Sequence, residues 1–274
     1  MKFDSANTNV AWCPGCGNYM ILEVLKSALD ELGLTPQNTV LVSGIGQAAK
    51  TPQYVNANYF NGLHGRAIPV ATGIKATNKE LNVIIVSGDG DIYGEGGNHF
   101  IHAIRRNPNI TVMVCNNMVY ALTKGQASPT ASADYITKMQ PQGVKDEPFN
   151  PIATAISQNI SFAARAFCQD KEQTKELMKK AILHQGFSLL DIFQPCVTFN
   201  KTNTYQWFKQ NTYYLEGEFD QAKAFEKALE KDKLPLGVFY QNERPIFEGN
   251  VQTKLYENKV SQEKLKKMIK IYSI

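Results

Sequence analysis

The chain has 274 residues, 43% of them hydrophobic, enough for one large domain with a sizeable core or one domain carrying an extension. Lys and Arg outnumber Asp and Glu only 29 to 25, with no basic stripe interleaved with aromatics, so neither composition nor patterning points to a nucleic-acid partner. The longest apolar runs fall far short of the roughly 20 residues a membrane helix needs, "MKFDSANTNV" has no signal-peptide core, and five unevenly spaced cysteines suit a reducing compartment; the expectation is a cytoplasmic protein with no membrane partner.

In chain order, "NYMILEVLKSALDELG" (18–33) predicts a helix with Met20, Ile21, Val24, Leu25, Ala28, Leu29 and Leu32 on one face, Asn18 as N-cap and Gly33 as its stop. "TVLVS" (39–43) reads as a buried strand. "NVIIVS" (82–87) and "ITVMVC" (110–115) are further β-branched runs, separated by the helical "NHFIHAIRRN", which ends before Pro108; together they form a βαβ unit. After a polar, Pro-containing stretch over about 123–150, helix-like "PIATAISQN", strand-like "SFAARAF", helical "KEQTKELMKKAILHQ" and strand-like "SLLDIFQ" continue the alternation. The fold class expected is α/β, a mainly parallel sheet sandwiched by helices. Residues 1–200 form the expected domain. Residues 201–274 read as an extension with one strand candidate, "PLGVFYQ", and a Lys-rich C-terminal helix.

The chemistry concentrates in "GDGDIYGEGG" (88–97), which leaves the carboxyl end of a buried strand and leads toward a helix N-terminus, where open α/β sheets bind ligands. Gly88, Gly90 and Gly94 miss the dinucleotide spacing, and Asp89 stands in the turn itself. A carboxylate repels phosphate unless a cation lies between them, so the economical solution is Mg²⁺, which takes carboxylate, amide, backbone and diphosphate oxygens together. Asn117 follows Asp89 by 28 positions, at the end of the next strand, a separation that one crossover helix and one strand span.

GDG followed at that distance by NN resembles the thiamine-diphosphate motif. More closely, "WCPGCGN", "GIGQAAK", "LHGRAIPVATGIK", "GDGD…GGNHFIHAIRRN", "NNMVYALTKGQASPT" and "DIFQPCVTFN" resemble, in order, the β subunit of 2-oxoacid:ferredoxin oxidoreductases, over roughly residues 10 to 200 and weakly through "GVFYQNE". The resemblance implies a thiamine-diphosphate-binding fold of the diphosphate-module type. It implies Mg²⁺ held by Asp89, Asn117 and the carbonyl of Val119. Ile45, Gly46, Gln47, His64, Gly90, Asp91, Ala121 and Leu122 would approach the cofactor, with Ala121 where the family usually has Gly. From position alone, His64 reads as a core histidine bonded to backbone. Lys50 and Lys124 are candidates for the 2-oxoacid carboxylate or the coenzyme A acceptor, and are otherwise surface lysines.

The reaction implied is oxidative decarboxylation of a 2-oxoacid to its acyl-CoA, with electrons passed to ferredoxin. The chain has room for one cofactor module, so the family's activating glutamate would come from an α subunit carrying the pyrimidine-binding module. An iron–sulfur cluster is also implied, with Cys13, Cys16 and Cys196 matching three ligand positions and Gln47 standing at the fourth, where the family has cysteine. Cys115 and Cys168 read as small buried hydrophobes. Two other readings stay open on the residues: a non-redox thiamine lyase or decarboxylase, and a C-x-x-C redox or metal-binding module.

Overall fold

The β-branched runs form the middle of one eight-stranded sheet in the computed structural model, which describes residues 1–6, 9–249 and 266–267. Its strands are β1 (Thr39–Ser43), β2 (Asn58–Asn61), β3 (Asn82–Gly88), β4 (Thr111–Asn116), β7 (Phe162–Phe167), β8 (Ser188–Phe193), β9 (Thr212–Tyr214) and β10 (Leu234–Gln241). β5 (Val119–Tyr120) and β6 (Gln126–Ala127) make a small separate hairpin. The order is β2-β1-β3-β4-β8-β7-β10-β9. All pairs from β2 to β7 are parallel, β10 joins β7 antiparallel, and β9 lies parallel to β10.

Both faces of the sheet are covered, which is why the central strands read as unbroken apolar runs rather than as alternating ones. Helices α1 (Asn18–Glu31) and α5 (Lys171–Leu183) pack together on one face, over Leu41, Ile84, Val86 and Met113. Helices α2 (Ala67–Thr77), α3 (Gly97–Arg106), α4 (Pro151–Ser157) and α7 (Gln221–Ala228) cover the other, where Val42, Ile85, Val112 and Val114 point. A further helix, α6 (Tyr205–Asn211), stacks Phe208 on Phe193 at 4.7 Å.

Several expectations shift. Asn18 is not the cap of α1: Gly17 holds that position without a side-chain hydrogen bond, and Asn18 is the first helical residue. Leu22 is buried on the helix, while Met20 and Leu32 are half-buried. Helix α2 forms despite Pro69 because the proline lies in the first turn, whose amides have no intrahelical acceptor anyway. β10 extends the main sheet through the expected "PLGVFYQ" strand. The expected C-terminal helix lies almost entirely outside the described residues. Among those described, no helix is long and apolar enough to cross a membrane.

Candidate active site

Parallel register delivers the acidic turn and the asparagine pair to one place. Gly88 pairs with Cys115 across β3 and β4, and Asn116 pairs with Phe193 across β4 and β8, so Asp89, Asn117 and Gln194 leave three adjacent strands at the same edge. After β3 the chain winds as a single π turn over Gly90–Glu95, closed by Gly96 N donating to Asp91 O at 2.9 Å, before entering α3. Such wide turns recur at functional sites because they re-aim side chains inside a helical path. Gly90 is required here: a Cβ would lie 2.2 Å from the ring of Tyr120.

The turn aims two carboxylates inward, with different surroundings. Asp91 is buried and fully engaged: Oδ1 accepts from Ile45 N (3.0 Å) and Gly65 N (2.8 Å), and Oδ2 accepts from Ser87 Oγ (2.8 Å). It thereby ties the loops after β1 and before α2 to the glycine turn. His64 Nδ1 approaches Asp91 Oδ1 at 3.1 Å and Glu95 Oε2 at 3.5 Å without hydrogen-bond geometry to either. Asp89 is 1% exposed, and desolvation pushes its carboxyl up to about 6, against the pull of the Ser128 and Thr130 hydroxyls. Thr130 Oγ1 lies 2.7 Å from Asp89 Oδ2 and 2.9 Å from Asn116 Oδ1.

The asparagine pair divides its work. Asn116 donates from Nδ2 to Asp191 Oδ1 (3.0 Å), which also receives the Tyr93 hydroxyl (3.1 Å), while Asp191 Oδ2 holds Arg165 Nε at 3.1 Å. Asn117 Oδ1 accepts from Val119 N (3.1 Å) in a tight turn that puts Met118 at φ 59°. An unbranched side chain in the left-handed region is uncommon and marks a constrained backbone. Asn117 Nδ2 donates to Gln194 Oε1 (3.2 Å), and Asn200 Nδ2 donates to the Asn117 carbonyl (3.1 Å).

All the residues expected around the cofactor and its cation line one cleft, from Ile45, Gly46 and Gln47 across His64, Asp89, Gly90 and Asp91 to Asn117, Val119, Ala121 and Leu122. Lys50 and Lys124 do not line it: Lys50 Nζ donates to Ala11 O at 3.3 Å, and Lys124 is exposed with φ 76°. A diphosphate and its cation fit the donor set, because the buried Asp89 carboxylate is met by the Thr130 hydroxyl and the remaining donors, Asn117 and the Val119 carbonyl, are amide and carbonyl oxygens suited to a hard ion.

A second pocket adjoins the first and shares Gln47, Asn117 and Ala121 with it. Its other walls include Cys13, Cys16 and Cys196, so the fold gathers two cysteines of the N-terminal loop and one that follows β8. Trp12 anchors the N-terminal loop by donating from Nε1 to Gln47 O (2.8 Å) and packing edge-on against Tyr54 at 5.0 Å. Gln194 Nε2 reaches Cys16 Sγ at 3.6 Å, so this side chain of the thiol pocket links Cys16 to Asn117, which lines both pockets. The cysteines are unbridged, and burial raises the Cys16 thiol to about 11. Among the described residues, no three His, Cys, Asp or Glu side chains converge on a site for one metal ion. Cys13, Cys16 and Cys196 on one pocket wall amount to three of the four thiolates that an iron–sulfur cluster usually takes. Cys115 and Cys168 are buried and do not line this pocket, although the Cys168 thiol lies just behind its wall, beside Gly17 and the Gln194 side chain. Sequence reasoning misses Tyr120, Thr130 and Gln194, although "SPT" and "QPC" lie within recognised segments.

The family described as the C-terminal TPP-binding domain of thiamine pyrophosphate enzymes matches residues 37–192, and the C-terminal part of the pyruvate ferredoxin oxidoreductase beta subunit matches 196–254. The chain is 42% identical over 259 residues to subunit beta of 2-oxoacid:ferredoxin oxidoreductase 2 of Aeropyrum pernix, covering 89% of this chain and 84% of the relative. It is 45% identical over 249 residues to the Saccharolobus solfataricus 2-oxoacid:ferredoxin oxidoreductase subunit beta, covering 85% and 82%. A solved 2-oxoglutarate:ferredoxin oxidoreductase from Magnetococcus marinus, with 2-oxoglutarate, coenzyme A and succinyl-CoA bound, superimposes with a TM-score of 0.89 at 32% identity, over 99% of this chain and 95% of the other.

Proposed function

Because the chain belongs to the β subunits of the 2-oxoacid:ferredoxin oxidoreductases, we propose that it is the thiamine-diphosphate-binding half of an enzyme converting a 2-oxoacid and coenzyme A to an acyl-CoA, with ferredoxin as electron acceptor. The observation that carries this reading is the pair of adjoining pockets: a carboxylate, amide and glycine cleft sharing a wall with a pocket of thiols.

When bound, thiamine diphosphate supplies the carbon nucleophile and the electron sink for loss of CO₂. Asp89, Asn117 and the Val119 carbonyl hold Mg²⁺, and the glycine turn lets backbone amides approach the diphosphate. Asp91 accepts from the Ile45 and Gly65 amides and so fixes the loops that carry Ile45 and His64 beside the glycine turn. Ile45, Gly46, Gln47, His64, Ala121 and Leu122 line the remainder and exclude water from the reacting end. Cys13, Cys16 and Cys196 hold an iron–sulfur cluster beyond the wall of Gln47, Asn117 and Ala121. Lys124, exposed one residue beyond the cleft-lining Thr123, and Lys50, on the segment after Ala48, supply positive charge for the 2-oxoacid carboxylate or the coenzyme A phosphates.

The cleft is incomplete without a partner. Ile45 is 42%, Leu63 75% and Leu122 43% exposed around its rim, and every residue of the edge strand β2 is exposed, including Tyr59 and Phe60. Apolar surface of this kind beside a cofactor site marks a subunit interface. The partner is an α subunit bringing the pyrimidine-binding module. Residues 1–200 carry the cofactor chemistry, and the extension from 201 onward packs on the same domain or on that partner. Calorimetry of Mg²⁺ and thiamine diphosphate on the assembled complex tests the reading: Asp89→Ala abolishes Mg²⁺-dependent binding, and an unchanged affinity overturns the assignment.

A further inference from the structure

The thiol pocket contains unpaired amides as well as cysteines. Among the described residues, Asn18 Nδ2, Asn18 Oδ1 and Gln47 Oε1 are all buried without a hydrogen-bond partner, and both residues line this pocket. Asn18 is 2% exposed. Each buried polar atom left in this state costs about 1–3 kcal/mol, so their gathering in one small space points to an occupant that pairs with two of the three, Gln47 Oε1 and Asn18 Nδ2. Gln194 and Asn117, the other two amides on the wall, are already committed: Gln194 Nε2 donates to Pro195 O at 2.8 Å, Asn117 Nδ2 donates to Gln194 Oε1, and Asn117 Oδ1 accepts from Val119 N.

The two unpaired residues lack different things. Of Gln47 the buried unpaired atom is the amide oxygen, which takes a hydrogen-bond donor or a cation. Asn18 also has an unpaired N–H group, so it needs an acceptor. With three thiols on the same pocket, we infer that Gln47 Oε1 ligates the fourth iron of a four-iron cluster held by Cys13, Cys16 and Cys196, and that Asn18 Nδ2 donates a hydrogen bond to a cluster sulfide. This rests on the cluster reading above and assigns the corner that the cysteines leave open. An amide oxygen is a harder and weaker donor to iron than a thiolate. The iron it holds is therefore the one lost first. Ferricyanide takes up one electron as that corner releases one ferrous ion, leaving a three-iron, four-sulfide cluster with one unpaired spin.

The test is anaerobic reconstitution of the full chain with ferrous iron and sulfide, followed by metal analysis and EPR before and after ferricyanide. Wild type takes up about four irons per chain and acquires the three-iron EPR signal on oxidation. Gln47→Cys retains its fourth iron under the same treatment. Gln47→Ala binds about three irons from the outset, and Gln47→Glu, which keeps an oxygen donor, restores the fourth. Asn18→Leu leaves the iron count unchanged and lowers the midpoint potential, because a donor that stabilises the reduced, more negative cluster is gone. If Gln47→Ala matches wild type in iron count and oxidation behaviour, Gln47 is not a ligand and the inference is overturned while the cluster stands. If no variant binds iron, Gln47→Cys included, the cluster reading itself is wrong.

Discussion

Replacing Thr130 with valine removes one hydroxyl and little volume. Thr130 is 5% exposed, and its single hydroxyl hydrogen faces two acceptors, Asp89 Oδ2 at 2.7 Å and Asn116 Oδ1 at 2.9 Å. Asn116 cannot reverse its amide to compensate, because its Nδ2 is held by the Asp191 carboxylate, which only accepts. Once Asp89 is ionised by a bound cation, the bond to Asp89 is the stronger of the two. A hydrogen bond to a charged group contributes about 1.5–3 kcal/mol, which is roughly a 10- to 150-fold change in affinity. Loss of an outer hydrogen bond to a metal ligand is of the same size, about 10–100-fold in metal binding. Thr130→Val is therefore expected to weaken Mg²⁺-dependent thiamine diphosphate binding by roughly 10- to 100-fold, measured calorimetrically on the assembled complex, while Thr130→Ser stays close to wild type. A correctly folded Thr130→Val protein whose affinity stays within about twofold would refute the role of the hydroxyl, since even a charged hydrogen bond at the weak end, about 1.5 kcal/mol, is worth roughly tenfold.

Three other outcomes follow from the same geometry. Arg165→Met strands the fully buried Asp191 carboxylate and should cost about 3–5 kcal/mol in urea unfolding of the full chain, whereas Arg165→Met combined with Asp191→Leu should cost less than the separate losses added together; a single-variant cost below about 1 kcal/mol would show that the pair is not uncompensated when broken. Gly44→Ala puts a Cβ 2.2 Å from Asp91 Oδ1, forcing the carboxylate off the Ile45 and Gly65 amides; isothermal titration should register a loss of thiamine diphosphate affinity of more than about tenfold, and unaltered binding would mean that Asp91 does not organise the cleft. Purified without its α partner, the chain should give no 2-oxoacid-dependent reduction of a viologen dye, and adding the partner should restore it; full turnover by the isolated chain would contradict the incomplete cleft.

The chain order itself carried the α/β class and the cofactor motif, because both are written in local patterns. Strands buried on both faces must be apolar at every position, so "TVLVS", "NVIIVS" and "ITVMVC" were legible without knowing their neighbours. A carboxylate inside a glycine turn and an asparagine one crossover later likewise need only sequence distance to be noticed. What depended on the third dimension was the ordering of polar groups around them. Thr130 reaches Asp89 from the far side of a hairpin, and Gln194 holds Asn117 while reaching Cys16, 178 residues away, contacts with no periodicity to betray them. Asn18 shows the difference within a single residue: its position before a helical run suggests a cap, yet the loop carrying Cys13 and Cys16 turns its amide away from the helix end and into the thiol pocket. Local sequence determines where a backbone turns, but a buried polar group is defined by what surrounds it, and only tertiary packing brings those surroundings together.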